Sequence, residues 1–171
     1  MKAINALLIL FLLALATGAF LLGKYRLDLV KQILRQDQKL FENFPSKDAS
    51  YIELGLADQK LVFERTDNIW YSQNASQSAD SKYIETFLET IKSLPRNILV
   101  SENPAKAKVF GVDQSGLQII IKNSSQKISH LFIGKRGQNN NSNFYRKDGE
   151  NNVYQSDKLL DTIFIPMPQS P

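Results

Sequence analysis

The sequence predicts an α+β fold: an N-terminal transmembrane helix and a juxtamembrane helix, followed by an antiparallel sheet with packed helices. Three observations support this. The first 23 residues are almost wholly apolar, short apolar runs alternate with polar turns after residue 47, and one apolar stripe at helical spacing lies among those runs. Short strands with a helix packed on them are typical of the α+β class.

The apolar segment, residues 1–23, is predicted to be a membrane anchor. From Ala3 onwards its only polar side chains are Asn5 and Thr17. As a helix it would be about 30 Å long, which matches the hydrocarbon core of a bilayer. A cleaved signal peptide is the alternative, since residues 14–16 form a small-x-small site, but the apolar run continues beyond that site.

Residues 24–46 predict a basic amphipathic helix, either a second helix or a continuation of the first, that ends at Pro45. Four basic residues, spaced seven, four and four apart, form a stripe on it: Lys24, Lys31, Arg35 and Lys39. This stripe is the candidate contact with anionic lipid head groups or with the juxtamembrane helix of a partner. A solvated face on a helix that packs against its own domain is the other interpretation.

The residues alone leave the orientation in the membrane open. Basic residues after the anchor outnumber those before it, which by the positive-inside rule places the C-terminal side in the cytoplasm. A short basic N-terminal tail is nevertheless the usual export signal, and long C-terminal domains are exported with little regard to charge.

Residues 47–164 are predicted to form the α+β domain. The runs SYIELGL and KLVFER read as a hairpin, and NIWYSQ as a third strand. A helix capped by Asp80 and stopped by Pro95 follows, and we expect Trp70 to pack against its apolar stripe.

The second half of the domain has a similar pattern. A helical turn opens at Pro104 and closes near Gly111, and two pairs of strands follow, LQIIIKN with KISHLFIGK and FYRK with VYQS. Ser156 is predicted to cap a last helix over residues 157–164, and residues 165–171 are expected to be a flexible tail. The order suggests two strand-strand-helix repeats.

Composition argues against several classes of function. The formal net charge is +4, but charges of both signs alternate along the chain, so we expect no nucleic-acid partner. The absence of cysteine excludes disulfides, thiolate metal sites and a cysteine nucleophile.

No catalytic, cofactor-binding or metal-ligating residue is nominated. His130 is the only histidine in the sequence. It lies on a predicted strand, where alternation places its side chain on the face of the sheet opposite to that of Leu131. The sequence has no GxSxG motif to accompany it. The segment IGKRGQ lacks the leading glycine and the Ser/Thr of a phosphate loop. Glu85 and Glu89 share the polar side of one helix and are interpreted as solvated.

Several short landmarks occur in a fixed order: Trp70, Ala79-Asp80, Phe110-Gly111-Val112-Asp113, Ile133-Gly134-Lys135, Tyr145-Arg146 and Val153-Tyr154. In this order and spacing they resemble the bacterial domain of unknown function 4340 family, over about residues 50–164. Two departures are Asn68, where relatives often have glycine, and Phe110 with Val112, where tyrosine and leucine are more usual.

The resemblance implies a membrane-anchored module of the bacterial inner membrane, related to auxiliary proteins of gliding-type ABC transporters and without an established enzymatic activity or cofactor. It favours a body outside the cytoplasm. The leading hypothesis is therefore a non-enzymatic accessory or assembly subunit of a membrane protein complex, such as a transporter. The alternatives are a membrane-bound enzyme acting on cell-envelope material, with polar loops 72–80 and 138–143 lining a cleft, and a structural protein that binds lipid head groups through residues 24–39.

Overall fold

The structure is a computed structural model. It describes residues 2–36, 38–41, 44, 46–73, 77–96, 98–125 and 128–162. The chain divides into two compact units, one ending at Arg35 and one beginning at Gln36. We call the second unit the body.

The described residues of the first unit all belong to one continuous helix, α1 (Lys2–Gln36), whose last residue begins the body. Its segment Leu10–Lys31 has a mean hydropathy of 1.5 and is the one helix in the described part of the chain that is long and apolar enough to cross a membrane. The Thr17 hydroxyl donates to the carbonyl of Leu13 at 2.9 Å, so the helix itself satisfies this polar side chain. The predicted N-terminal apolar helix is confirmed, and it continues without a break into the basic segment.

The prediction that the basic helix continues to Phe44 is wrong, because α1 ends at Gln36. Beyond it, the amide of Leu40 donates to the carbonyl of Leu94 at 2.7 Å, and Leu40, Phe41 and Phe44 are buried in the core of the body. Burial of these side chains outweighs continued helix formation. Pro45, the predicted helix stop, lies outside the described residues.

The described residues of the body form one antiparallel sheet in the order β4-β3-β2-β1-β6-β7-β8-β9-β5. Its strands are β1 (Ala49–Leu56), β2 (Gln59–Thr66), β3 (Ile69–Ser72), β4 (Gln77–Ser78), β5 (Ile98–Ser101), β6 (Leu117–Asn123), β7 (Ile128–Arg136), β8 (Asn143–Lys147) and β9 (Val153–Gln155). The predicted hairpin is present, since Leu56 pairs with Gln59 across a two-residue turn.

One helix covers one face of this sheet. Helix α2 (Ser81–Ser93) connects the edge strand β4 to the opposite edge strand β5. The Asp80 carboxylate accepts from the amide of Lys82 at 2.9 Å, which confirms the predicted cap. The apolar stripe of α2 and Trp70, which is 3% exposed, belong to one buried core, so the core role of the tryptophan is also confirmed.

The opposite face of the sheet, which we call the outer face, is partly covered. A 3-10 turn (Pro104–Lys106) and the short helix α3 (Ala107–Phe110) end at Gly111, whose φ of 67° is the left-handed conformation of a helix stop. They lie over a small apolar cluster around Val112 and Phe132. The predicted turn at Pro104 and both pairs of strands are confirmed.

The sequence predicts a last helix over residues 157–164, capped by Ser156. For residues 157–162, which the structure describes, this prediction is wrong, because they form bends and turns. The Ser156 hydroxyl oxygen accepts from the amide of Asn143 at 2.8 Å, and the Asn143 side chain accepts from the amide of Leu160 at 2.7 Å. These contacts with β8 replace helical hydrogen bonds. The second strand-strand-helix repeat is therefore not completed within the described residues, and the predicted tail, 165–171, lies outside them.

Candidate functional site

The landmark segments around Gly111 and Gly134 meet where α3 crosses the sheet. A Cβ at Gly134 would collide with the carbonyl oxygen of Phe110, and one at Gly116 would collide with the carbonyl oxygen of Gly111. Glycine is required at both positions because backbone approaches backbone there. These glycines serve a packing junction between α3 and the sheet.

A second landmark, Arg146, fixes the outer side of this junction. Its Nε donates to the carbonyl of Val112 at 2.9 Å, and its Nη1 donates to the carbonyl of Glu150 at 3.1 Å. The guanidinium also lies 4.6 Å from the centre of the Phe132 ring. Arg146 thus holds the segment after α3 to strand β8.

The tyrosine landmarks lie on the core side. Tyr145 is fully buried and donates its hydroxyl to the carbonyl of Pro95, and its ring stacks on that of Tyr154 with centroids 5.7 Å apart. The Tyr154 hydroxyl accepts from Arg96 at 3.1 Å, and Arg96 forms an ion pair with Glu150 at 2.8 Å. The landmarks therefore hold the chain just after α2 against strands β8 and β9.

A cleft of about 830 Å³ opens on the α2 side of the sheet, beside the β1–β2 turn. Aliphatic side chains from four strands line it: Leu54, Leu56, Leu61, Leu117 and Ile133. Leu56 remains 52% exposed. None of the described lining residues comes from α2, so the cleft is a strip of the apolar sheet face that this helix leaves uncovered.

Charged side chains surround the cleft. Lys60 and Lys135 lie on its rim, and Asp161 closes one side and pairs with Arg136 at 2.8 Å. The ammonium of Lys135 donates to the carbonyl of Val109 at 2.9 Å. An apolar floor with a charged rim suits an apolar peptide segment or the chain of an amphiphile.

Glu53, on the outer face of β1, accepts hydrogen bonds from two side chains. Lys60 lies 2.8 Å from one carboxylate oxygen, and the Tyr51 hydroxyl donates to the other at 2.6 Å. The bond from Lys60, with that from Tyr51, lowers the pKa of Glu53 below its ordinary 4.5, and the same carboxylate raises the pKa of Tyr51 to about 12.

We expect Glu53→Gln to lower the free energy of unfolding by about 1 kcal/mol at pH 7, since Lys60 is largely exposed to solvent. Because the folded-state pKa of Glu53 is lowered, its contribution is present above 4.5 and is lost as the pH falls through the folded value. Urea unfolding followed by Trp70 fluorescence measures this. Glu64→Gln on the neighbouring strand is the control, and a Glu53→Gln effect that is equal at pH 7 and pH 3 would contradict the assignment.

The structure does not bring the titratable residues considered from the sequence together. His130 lies on the outer face, with its ring centre 4.4 Å from that of Phe132 and its Nδ1 3.4 Å from Asp148, whereas Glu85 and Glu89 lie on the exposed side of α2. Within the described ranges no group of three His, Asp or Glu side chains is placed to hold a metal ion.

The basic stripe is only partly as predicted. Lys24 and Lys31 lie exposed on α1, and Arg35 is also in this helix. Lys39 follows the end of the helix and forms a β-bridge with Pro95, so the prediction of four basic residues on one helical face is wrong for Lys39. Whether any of these residues contacts lipid or a partner stays a prediction.

Comparison with family models assigns the chain to a protein family. The family described as Domain of unknown function (DUF4340) matches residues 70–168, more than half of the 171 residues. The chain belongs to this family. No curated protein and no solved structure matches the chain. The match begins at Trp70, so β1 and β2 precede the part shared with DUF4340 although they are central in the sheet.

Sequence reasoning missed two features of this DUF4340 chain. One is the cleft, although a leucine directly before the predicted hairpin turn, Leu56, was a possible signal. The other is Asn143, which is 1% exposed and whose side chain links the carbonyl of Gly134 to the amide of Leu160. It stands at the end of the polar run QNNNSN, where composition indicates only a loop.

Proposed function

We propose that this protein is a membrane-anchored, non-enzymatic accessory or assembly subunit of a bacterial membrane complex, with a transporter as the first complex to test. Helix α1 inserts as a single pass into the inner membrane, and the body lies outside the cytoplasm. There the body contacts a partner protein.

The apolar surface of α1 carries this proposal. Large side chains from Leu10 to Leu22 are 55–73% exposed, and none of the membrane-length segment is buried within the protein. Each such side chain gains about 1.5–3 kcal/mol on leaving water, and a helix satisfies its own backbone in lipid. Lys24 and Lys31 follow the apolar stretch, where contact with anionic head groups is favourable.

The outer face of the sheet supports the contact with a partner. On this face, five side chains from strands β3, β2, β1, β6 and β7 are successive cross-strand neighbours and form one row: Tyr71, Glu64, Tyr51, Lys122 and Ile128. Tyr71 and Ile128 at its two ends are 41% and 60% exposed. Exposed aromatic and aliphatic side chains among charges are typical of protein interfaces.

Charges placed in α1 should release the protein from the membrane. We expect Leu13→Arg with Leu21→Arg to move most of it out of the carbonate-resistant membrane fraction, because an arginine costs up to about 3 kcal/mol at the centre of a span. Ile98→Arg, on the edge strand of the body, is the matched control and should remain in the membrane. Retention of the double variant in that fraction would contradict the anchor.

The position of the body is tested with a single cysteine, because the chain has none of its own. Ile98→Cys should react with a membrane-impermeant maleimide in intact spheroplasts, since Ile98 is 45% exposed in the body. Labelling that requires permeabilised membranes would place the body in the cytoplasm and overturn this part of the proposal.

A further inference from the structure

The cleft beside the β1–β2 turn has a floor of paired strands. Leu54 on β1 is the cross-strand neighbour of Leu61 on β2, and Leu117 on β6 is that of Ile133 on β7. Strands β1, β6 and β7 each pair with a neighbouring strand on both sides, so their amides and carbonyls are used within the sheet. An occupant of this floor is therefore held through its apolar surface.

This floor distinguishes between the two kinds of occupant that suit its chemistry. A peptide segment brings an amide and a carbonyl with every residue, and burying these groups without partners costs free energy. A hydrocarbon chain brings no polar group, and the cleft volume of about 830 Å³ lies in the usual range for sites that bind small molecules. The chain of an amphiphile therefore fits the floor better than a peptide does.

Two of the three charged side chains among the described lining residues are already matched by an opposite charge. Lys60 lies 2.8 Å from a carboxylate oxygen of Glu53, and the Asp161 carboxylate lies 2.8 Å from Nε of Arg136. Each of these pairs contributes no net charge to the rim. The sign of the rim is therefore decided by the third side chain, Lys135.

Lys135 gives the rim a positive charge. Its ammonium donates to the neutral carbonyl of Val109 at 2.9 Å, and within the described ranges it forms no ion pair with a carboxylate. An ammonium has three N–H donors, so two remain for another acceptor. A carboxylate carries the opposite charge, has two acceptor oxygens and forms charge-assisted hydrogen bonds, so it is the head group that Lys135 suits.

We propose that the cleft is a binding site for a single-chain fatty acid, with the hydrocarbon chain on the leucine floor and the carboxylate at Lys135. Leu56, which lines the cleft and is 52% exposed, becomes covered when the site is filled. The site does not depend on the accessory role proposed above or on how α1 is anchored.

Protection of an introduced cysteine measures this binding. The full-length protein is held in an amphipathic polymer, so that detergent monomers do not compete, and dodecanoate is the probe. Leu56→Cys and Ile98→Cys each place one thiol at a site of similar exposure, 52% and 45%, but of the two only Leu56 lines the cleft. At a probe concentration of about ten times Kd, Leu56→Cys should react with a soluble maleimide about tenfold more slowly, and Ile98→Cys should change less than about twofold.

The head group is tested, in the Leu56→Cys background, with a ligand and a variant that each remove one charge. Dodecanol, which has the same chain and no charge, should need an about fivefold higher concentration for equal protection. In Lys135→Gln, which keeps a donor for the carbonyl of Val109, dodecanoate should bind more weakly by about the same factor, whereas dodecanol should bind as before. Lys82→Gln, at an exposed position of α2, is the matched control and should change neither.

Each other outcome overturns the proposal. If dodecanoate protected Leu56→Cys no more than Ile98→Cys, the cleft would bind no fatty acid. Slow labelling of Leu56→Cys before any probe is added would mean that the cleft is already filled, and protection by an apolar peptide but not by dodecanoate would make it a peptide groove. Equal affinity for dodecanoate and dodecanol, or an unchanged affinity in Lys135→Gln, would contradict the carboxylate contact.

Discussion

Gly134→Ala is expected to lower the free energy of unfolding by about 3 kcal/mol. The added methyl group would collide with the carbonyl oxygen of Phe110 and press on Val112. Neither neighbour can yield easily, since one is backbone and Val112 is fully buried. Urea unfolding of the full chain in mild detergent, followed by the fluorescence of the buried Trp70, measures the loss.

Gly55→Ala is the matched control for this prediction. Gly55 is also a strand glycine and is itself buried, but an added Cβ there would have its nearest neighbour at 3.9 Å, which is ordinary contact. We expect its effect to be within about 1 kcal/mol of zero, because alanine also restricts the unfolded chain. If both variants lowered the free energy of unfolding equally, close packing of Gly134 between α3 and β7 would be contradicted.

Asn143→Ala is expected to cost about 2–4 kcal/mol, because it leaves the buried amide of Leu160 without its acceptor. The Asn143 side chain also accepts from Asp161 and donates to Gly134. Its loss should therefore release residues 157–162 from the wall of the cleft. Hydrogen exchange should show faster exchange at the Leu160 amide.

Asn152→Ala is the control for Asn143. The Asn152 side chain donates to the hydroxyl of Tyr154 at 3.2 Å, and Asn152 is partly exposed. We expect a loss of about 1 kcal/mol or less and no change in exchange at Leu160. Unchanged exchange at Leu160 in Asn143→Ala would contradict the role assigned to Asn143.

Elements defined by local chemistry were predictable from the sequence. Helix α2 has a capping aspartate, an apolar stripe and a proline two residues after its end, and the structure has this helix. The strands of the β1–β2 hairpin flank a short polar turn. In each case neighbouring residues determine the hydrogen bonds, so sequence periodicity is sufficient.

Elements decided by long-range contacts were not predictable. The segment after Gln36 has helical periodicity, yet Leu40 bonds to Leu94, more than fifty residues away. Ser156 has the chemistry of a helix cap, but its hydroxyl oxygen accepts a hydrogen bond from the amide of Asn143 on strand β8. The cleft also depends on strands distant in sequence, so no local motif marks it. Tertiary contacts of this kind override local propensity.

Co-purification of the tagged full-length protein from its native membranes in mild detergent, followed by mass spectrometry, tests the proposed accessory role most directly. We predict a membrane protein recovered in near-stoichiometric amount with the wild-type chain, and much less with Tyr71→Asp and Ile128→Asp on the outer face. Ile98→Asp, at the edge of the sheet, should retain the partner. Recovery of the protein alone and monomeric would contradict the accessory-subunit function.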